Sequence, residues 1–167
     1  ITLRTETSAI PALPSDSFAC LNALMSSVSL VIESSSKEDV LVHLHYVTDA
    51  SSPVATHPSV RLIVQEQARL SVAETFGKSG DAFTFFNKSL TGHVASGATL
   101  TTYSLQNLKE IGTSLNHSKF SIAAGATVNS FVLTTEGTLV RNNPVYEING
   151  PGAVANLYGL YLLDGKT

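Results

Sequence analysis

Two histidines in the segment "VLVHLHYV" have a spacing that can hold a metal ion. His43 and His45 lie on the same side of a β-strand, and imidazole nitrogens are common metal ligands. Two ligands do not define a site, so a third would have to come from a neighbouring segment. His57, His93 and His117 lie near predicted turns and would meet the pair only through stacking. The interpretation favoured by the sequence is two partly exposed strand histidines.

Two glycine-containing segments resemble phosphate-binding motifs without completing them. "DGKT" at 164–167 would need glycine at position 160 to form a phosphate loop, and Leu160 stands there. "GPGAVA" at 150–155 follows a strand-like segment, but the dinucleotide fingerprint also needs a following helix and an acidic residue about twenty positions later. We predict that this second segment is a turn.

The other candidate residues have structural interpretations. Asn87 in "NKS" and Asn116 in "NHS" fit the N-glycosylation pattern, which is short and frequent by chance. Cys20 is the single cysteine, so it cannot form an internal disulfide or supply the several ligands of a zinc or iron–sulfur site. Its apolar neighbours predict a buried structural side chain. The sequence therefore assigns no catalytic, cofactor-binding or metal-binding residue.

Composition limits the classes of function. The 167 residues fit one domain, and charged residues make up 14% of the chain, against about 25% in ordinary globular proteins. This deficit predicts a fold that buries much of its surface or meets a partner. The net charge of −3 and the absence of a basic cluster argue against nucleic-acid binding. No segment approaches the roughly 18 apolar residues of a membrane span.

An internal repeat organises the chain. Four segments, "VQEQARLSVAETF", "VASGATLTTYSL", "IAAGATVNSFVL" and "NGPGAVANLYGL", share an alanine at Ala68, Ala98, Ala126 and Ala153, in steps of 30, 28 and 27 residues. A fainter copy, "SSKEDVLVHLHYV", has Asp39 at the anchor. A fixed period of this length predicts a solenoid, and strand-forming residues around a small-residue turn favour a parallel β-helix of about five coils. A β-sandwich is the competing all-β arrangement.

Apolar residues recur at fixed positions after each anchor, and we assign these columns to the interior. The columns are Leu41, Leu70, Leu100, Val128 and Ala155 at two positions, Leu44, Ala73, Tyr103, Phe131 and Tyr158 at five, and Tyr46, Thr75, Leu105, Leu133 and Leu160 at seven. Before the anchor, glycine in the "GA" pair permits the positive φ of a tight turn.

Helical signals are confined to two short stretches. Asp16 is an acceptable N-cap for a helix over 16–27, and a second piece near Leu105–Ile111 has helical spacing. We divide the chain into an N-terminal extension, 1–15, and a β-helix core, 16–167. Residues 153–163 resemble an interior coil without a cap, so we expect either a continuation beyond Thr167 or a partner over this edge.

Several segments together resemble one protein family. "RNNPVYEINGPGAVANLYGLYLLDGKT" is similar to a characteristic "L.G.GA...L.GLYL..G" line of the SufB/SufD family of iron–sulfur cluster assembly proteins. "SFACLNALMSSVSLVIESSSKEDVLVHLHYVTD" resembles the family's entry into its β-helix, and "HPSVRLIVQEQARLSVAETF" resembles a further line. The resemblance spans residues 16–167, and the "YSLQN" and "LVRNN" segments are more similar to SufD than to SufB.

The resemblance implies a fold and a biological setting. The fold would be a right-handed parallel β-helix. The protein would be a non-catalytic scaffold subunit that pairs with a SufB-like subunit and a SufC-like ABC ATPase, in the cytoplasm or a plastid stroma. The iron–sulfur cluster would be handled by the assembled complex and not bound by this segment. A homodimer through the open edge of the β-helix is a further expectation.

Two other functions fit a β-helix. A polysaccharide-acting enzyme would need clustered carboxylates on adjacent coils. The positions six after each anchor are instead His45, Glu74, Ser104, Val132 and Gly159, and the chain has no tryptophan. An adhesive solenoid would predict a more regular repeat and a secretion signal, and neither is present in this sequence.

Overall fold

The computed structural model describes residues 1–7, 16–107 and 112–162. These residues form one helix, α1 (Ser17–Met25), and strands that we number β1 to β12. The strands are β1 (Thr2–Thr7), β2 (Val28–Ser34), β3 (Leu41–Asp49), β4 (Val54–Thr56), β5 (Ser59–Val64), β6 (Arg69–Ser79), β7 (Thr84–Val94), β8 (Thr99–Asn107), β9 (Gly112–Ile122), β10 (Thr127–Glu136), β11 (Leu139–Ile148) and β12 (Val154–Tyr161).

The strands form two sheets that the chain visits alternately. Sheet A has the order β1-β2-β5-β7-β9-β11, with β4 also paired to β7, and sheet B has the order β12-β10-β8-β6-β3. Every described pairing is parallel except that of β1 with β2. The result is a parallel β-solenoid of about five turns. The predicted β-helix is therefore confirmed, and the β-sandwich is wrong.

A tight turn precedes each strong repeat. Gln67, Gly97, Gly125 and Gly152 all have positive φ, between 57° and 71°. The alanine that follows each of them donates its backbone N–H to the carbonyl three residues earlier, at 3.0 to 3.3 Å. The predicted role of the "GA" pair is confirmed, and the first strong copy makes the same turn with glutamine in place of glycine.

The four strong copies stack in register. Leu70 lies opposite Leu100, Leu100 opposite Val128, and Val128 opposite Ala155. The fainter copy is offset by one residue from the predicted alignment, because Leu44 lies opposite Glu74 and not opposite Ala73. Its anchor position is therefore Glu38 rather than Asp39, and the step to the next copy is 30 residues.

In the four strong copies, only the first of the three predicted columns lies in the interior. Leu70, Leu100 and Val128 are buried, whereas Tyr103 and Phe131 of the second column are exposed. Side chains alternate between the two faces of a strand, so residues two and five positions after an anchor must point in opposite directions. The assignment of the second and third columns to the interior is therefore wrong for the strong copies. In the offset fainter copy the columns are exchanged, because Leu41 is 64% exposed whereas Leu44 and Tyr46 pack against the core.

Helix α1 packs against sheet A through polar contacts. Asp16 caps it by accepting hydrogen bonds from the backbone N–H groups of Phe18 and Ala19 at 2.9 and 3.0 Å. The Asn22 amide donates to the carbonyl of Asn87 at 2.6 Å, and the Asn87 amide donates to that of Phe18 at 2.9 Å. Cys20, on this helix, is half-buried and not fully buried as predicted. The predicted helix is confirmed, with its end at Met25 rather than residue 27.

The second predicted helical stretch is wrong where the structure describes it. Residues 105–107 belong to β8, and residues 108–111 lie outside the described residues. The alternation of exposed Leu105 and buried Gln106 follows the two-residue period of a strand. Pairing with the strands on both sides therefore overrides the weak local helical spacing.

Gln67 provides a test of the turn. Replacing Gln67 with Gly should increase the free energy of unfolding by about 1 kcal/mol, because a side chain disfavours the left-handed conformation. Replacing Gly97 with Ala should lower it by a similar amount. An added Cβ there would lie 3.6 Å from the nearest atom, which leaves φ as the source of strain. Urea unfolding measures both changes, and a destabilised Q67G protein would contradict this account.

Candidate functional site

The interior of the solenoid changes from apolar to polar along β8 and β10 of sheet B. Near the turn, Leu70, Leu100 and Val128 contribute to the buried apolar core. Further along the strands, Thr102, Ser104 and Gln106 line a cavity of about 280 Å³ between the two sheets. Later residues of β11 and β12, among them Tyr146 and Tyr161, line the same cavity. The repeat thus places polar side chains opposite each other in neighbouring coils, as with Thr102 and Ser130 or Gln106 and Thr134.

An amide network connects the two sheets across this cavity. Gln106 of sheet B donates to Asn142 Oδ1 of sheet A at 2.9 Å, and the Asn142 amide donates back to Gln106 Oε1 at 3.1 Å. Thr134 also donates to Gln106 Oε1, and the Asn116 amide donates to Asn142 Oδ1. Asn116 Oδ1 is buried without a hydrogen-bond partner in the described structure. The network fixes the spacing of the sheets where no apolar core holds them.

A buried ion pair lies at the base of the cavity. Lys88 Nζ is 2.5 Å from Glu74 Oε2, and both side chains are less than 5% exposed. The Tyr46 hydroxyl donates to the other carboxylate oxygen of Glu74 at 2.9 Å. Burial, with the neighbouring Glu74 charge, raises the pKa of Tyr46 well above its ordinary value, so the phenol remains a hydrogen-bond donor. Lys88 Nζ also lies 5.6 Å from the ring centre of Phe76.

The outer face of sheet B carries a ladder of stacked aromatic rings. The ring centres of Tyr103 and Phe131 are 5.1 Å apart, and those of Phe131 and Tyr158 are 4.7 Å apart, with nearly parallel planes. The three side chains are 46%, 37% and 55% exposed. Leu105 and Leu160, in the next outward column, are exposed beside them. We call these five residues the aromatic face.

Charge is distributed unequally between the two outer surfaces. Sheet A carries ion pairs between neighbouring strands, such as Arg4 with Glu33 at 2.8 Å and Lys119 with Glu147 at 2.7 Å. On sheet B, the described segments 99–105, 127–133 and 154–160 contain no charged residue. Desolvation of this part of sheet B would therefore cost little, which is a property of protein–protein contact surfaces.

The histidines separate into a close pair, His43 with His45, and three others that lie elsewhere in the fold. His43 and His45 are exposed on the outer face of sheet B and share the hydroxyl of Thr75. His93 is exposed on sheet A. Burial lowers the pKa of His57 and of His117. The described residues contain no group of three or more histidine, cysteine, aspartate or glutamate side chains that could hold a metal ion.

A comparison with protein families identifies the solenoid. The family model described as "SUF system FeS cluster assembly, SufBD core domain" matches residues 45–167. The chain belongs to the SufB/SufD family. It is therefore a component of the SUF system of iron–sulfur cluster assembly. No curated protein and no solved structure matches the chain significantly.

The remaining motifs of this SufB/SufD chain have structural roles or lie outside the described residues. Residues 150–153 form a turn that leads into β12 and not into a helix, which confirms the predicted turn. The "DGKT" segment, 164–167, lies outside the described residues. Asn87 and Asn116 are buried, so the folded chain does not present either as a glycosylation acceptor. No helix in the described part is long and apolar enough to cross a membrane.

The interior polar residues were not assigned a role from the sequence. The sequence pattern presents Glu74 only as one member of a possible acidic column, and the structure places it inside the solenoid, bound to Lys88 and Tyr46. A buried carboxylate in an ion pair is not available to a sugar chain on the surface. Lys88 and Asn142 lie in sheet A strands, which the repeat columns did not include. Their alternation with outward residues is the signal that could have indicated an inward orientation.

The buried pair gives a prediction about stability. Replacing Glu74 with Gln should lower the free energy of unfolding by about 3 to 5 kcal/mol, because Lys88 would remain buried without a counter-charge. A triple variant, Y46F, E74L and K88L, removes all three polar groups together and should be much less destabilised. Denaturant unfolding of both proteins measures the difference. Equal losses in the two variants would contradict the assigned role of the pair.

Proposed function

We propose that the chain is a non-catalytic scaffold subunit of a SUF-type iron–sulfur cluster assembly complex. In this proposal it is the SufD-like member, which pairs with a SufB-like subunit and a SufC-like ABC ATPase. The cluster is the cargo of the assembled complex rather than a cofactor of this segment. The proposed location is the cytoplasm, or the stroma in a plastid-containing organism.

The observation that carries this proposal is the aromatic face of sheet B. Tyr103, Phe131 and Tyr158 form a rigid row because each ring stacks on the next, so little side-chain entropy remains to be lost on binding. Aromatic residues are enriched in protein interfaces, and charged residues are depleted at interface cores. The low charge content of the whole chain agrees with a surface that a partner covers.

Strand β12 extends this surface to a sheet edge. Among the described residues, β12 has one strand neighbour, β10, and its other edge is unpaired. Its outward side chains, Tyr158 and Leu160, are each 55% exposed. An unpaired strand of this kind can add a strand from another chain through backbone hydrogen bonds. We propose that the SufB-like subunit contacts β12 and the adjoining aromatic face.

The SufD-like assignment within the family is part of the proposal. It is supported by the similarity of the "YSLQN" and "LVRNN" segments, which lie in β8 and β11. Structurally, Gln106 of the first segment and Asn142 of the second form the amide pair that connects the sheets. These two segments therefore carry both the similarity and a specific packing role.

Co-purification tests the proposed subunit contacts. The full-length protein, coexpressed with the SufB-like and SufC-like proteins of the same organism, should recover both on an affinity tag. The double variant Y158K/L160K should recover roughly tenfold less SufB-like subunit, because it places charges in the apolar contact. V145K is the matched control, since Val145 is an exposed apolar residue of sheet A.

Three outcomes distinguish the parts of this proposal. Recovery of neither partner by the wild-type protein would contradict the scaffold function. If the wild type and Y158K/L160K recover equal amounts of the SufB-like subunit, the complex forms, but the aromatic face is not its contact surface. A wild-type protein that instead forms a dimer of its own, sensitive to Y158K/L160K in light scattering, would support the homodimer through the β-helix edge.

A further inference from the structure

Strand β3 places two imidazole rings together on the surface. His43 and His45 are exposed, point to the same side of the strand and have ring centres 6.1 Å apart. Sheet B ends at β3, with β6 as its strand neighbour among the described residues. Both rings are therefore accessible from solvent. Asp49 is the single charged residue of β3, and it is negative, so no cation on this strand would repel a metal ion.

The two rings converge on one atom of the neighbouring coil. His43 Nε2 and His45 Nδ1 each lie 2.7 Å from the Thr75 hydroxyl oxygen. The two nitrogens are therefore at most twice this distance apart, or 5.4 Å. The hydroxyl can donate its hydrogen to one of the two nitrogens, so the other ring must donate an N–H to the oxygen. The Thr75 hydroxyl oxygen is thus within hydrogen-bond distance of a nitrogen of each ring.

A metal ion fits between the two nitrogens, beside the Thr75 hydroxyl, after a small adjustment. Zinc binds imidazole nitrogen at about 2.0 to 2.1 Å, so two ligands in tetrahedral geometry lie about 3.4 Å apart. Closing the gap requires at most about 2 Å of movement, which the exposed His43 ring achieves by rotation about its side-chain bonds. Each ring would present a lone pair to the ion, and Thr75 with solvent would complete the coordination.

Gly77 holds one of the rings in place. A Cβ added at Gly77 would lie 2.9 Å from His45 Nε2 and 3.1 Å from its Cε1, so the His45 ring lies directly against the glycine backbone. In this orientation the other ring nitrogen, Nδ1, lies 2.7 Å from the Thr75 hydroxyl. A side chain at position 77 would push the ring away without removing any nitrogen.

We propose that His43 and His45, with the Thr75 hydroxyl of the neighbouring coil as a third and weaker ligand, form a surface site for one divalent transition-metal ion that prefers imidazole ligands. Affinity should follow the general order for nitrogen ligands, with Cu²⁺ bound more tightly than Ni²⁺ or Zn²⁺. The described residues offer no third histidine, cysteine or carboxylate ligand here, so the ion keeps exchangeable positions. Such a site binds an ion reversibly, and it does not depend on the proposed scaffold function.

Metal titration of the folded protein tests this site. Isothermal titration with Cu²⁺ and Zn²⁺ should give one ion per chain, and H43N or H45N should each weaken binding by roughly tenfold or more. H93N is the matched control, because His93 is exposed on the opposite sheet, and its affinity should be unchanged. G77A should also weaken binding although it retains both imidazoles.

Spectroscopy identifies the ligands independently of affinity. The electron paramagnetic resonance spectrum of the Cu²⁺-loaded protein should show coupling to two imidazole nitrogens, and H43N or H45N should reduce this to one. Circular dichroism of each variant verifies that it is folded. Wild-type affinity in H43N and H45N, or an equal loss in H93N, would overturn the proposal.

Discussion

In-register stacking of parallel strands is the constraint on which the rest of the structure depends. The paired residues of sheet B lie opposite counterparts in the neighbouring coil, 27 to 30 positions away in sequence. Residues at one position after the turn therefore stack as a column on one side of the sheet. The same constraint produces the apolar core, the polar interior and the aromatic face. The residues of each lie at a different distance along the strand from the turn, or on a different side of the sheet.

The positive-φ residue before each anchor alanine keeps these columns aligned. It sets where each sheet B strand begins, and a displacement by one residue would exchange the inner and outer side chains of the whole strand. Such an exchange would place Tyr103 and Phe131 in the interior and expose Gln106. The turn thus determines which residues are available to a partner and which connect the two sheets.

The sequence allowed prediction of the repeat, the parallel solenoid and the first helix, because each depends on a pattern within one segment or at a fixed period. Apolar character alone does not distinguish inward from outward columns. Tyr103 and Phe131 are largely apolar, and both are exposed. The pairing of Glu74 with Lys88 could not be predicted, since it joins different sheets across the interior. The convergence of His43 and His45 on Thr75 likewise depends on register between coils.

The pattern of interstrand nuclear Overhauser effects in the folded protein tests the in-register stacking most directly. The stacking predicts contacts between the backbone protons of Leu70 and Leu100, and of Leu100 and Val128, with the alternation typical of parallel strands. It also predicts ring-to-ring contacts from Tyr103 through Phe131 to Tyr158. Antiparallel contacts between strands that follow one another in sequence, such as β8 and β9, would contradict the solenoid and the surfaces derived from it.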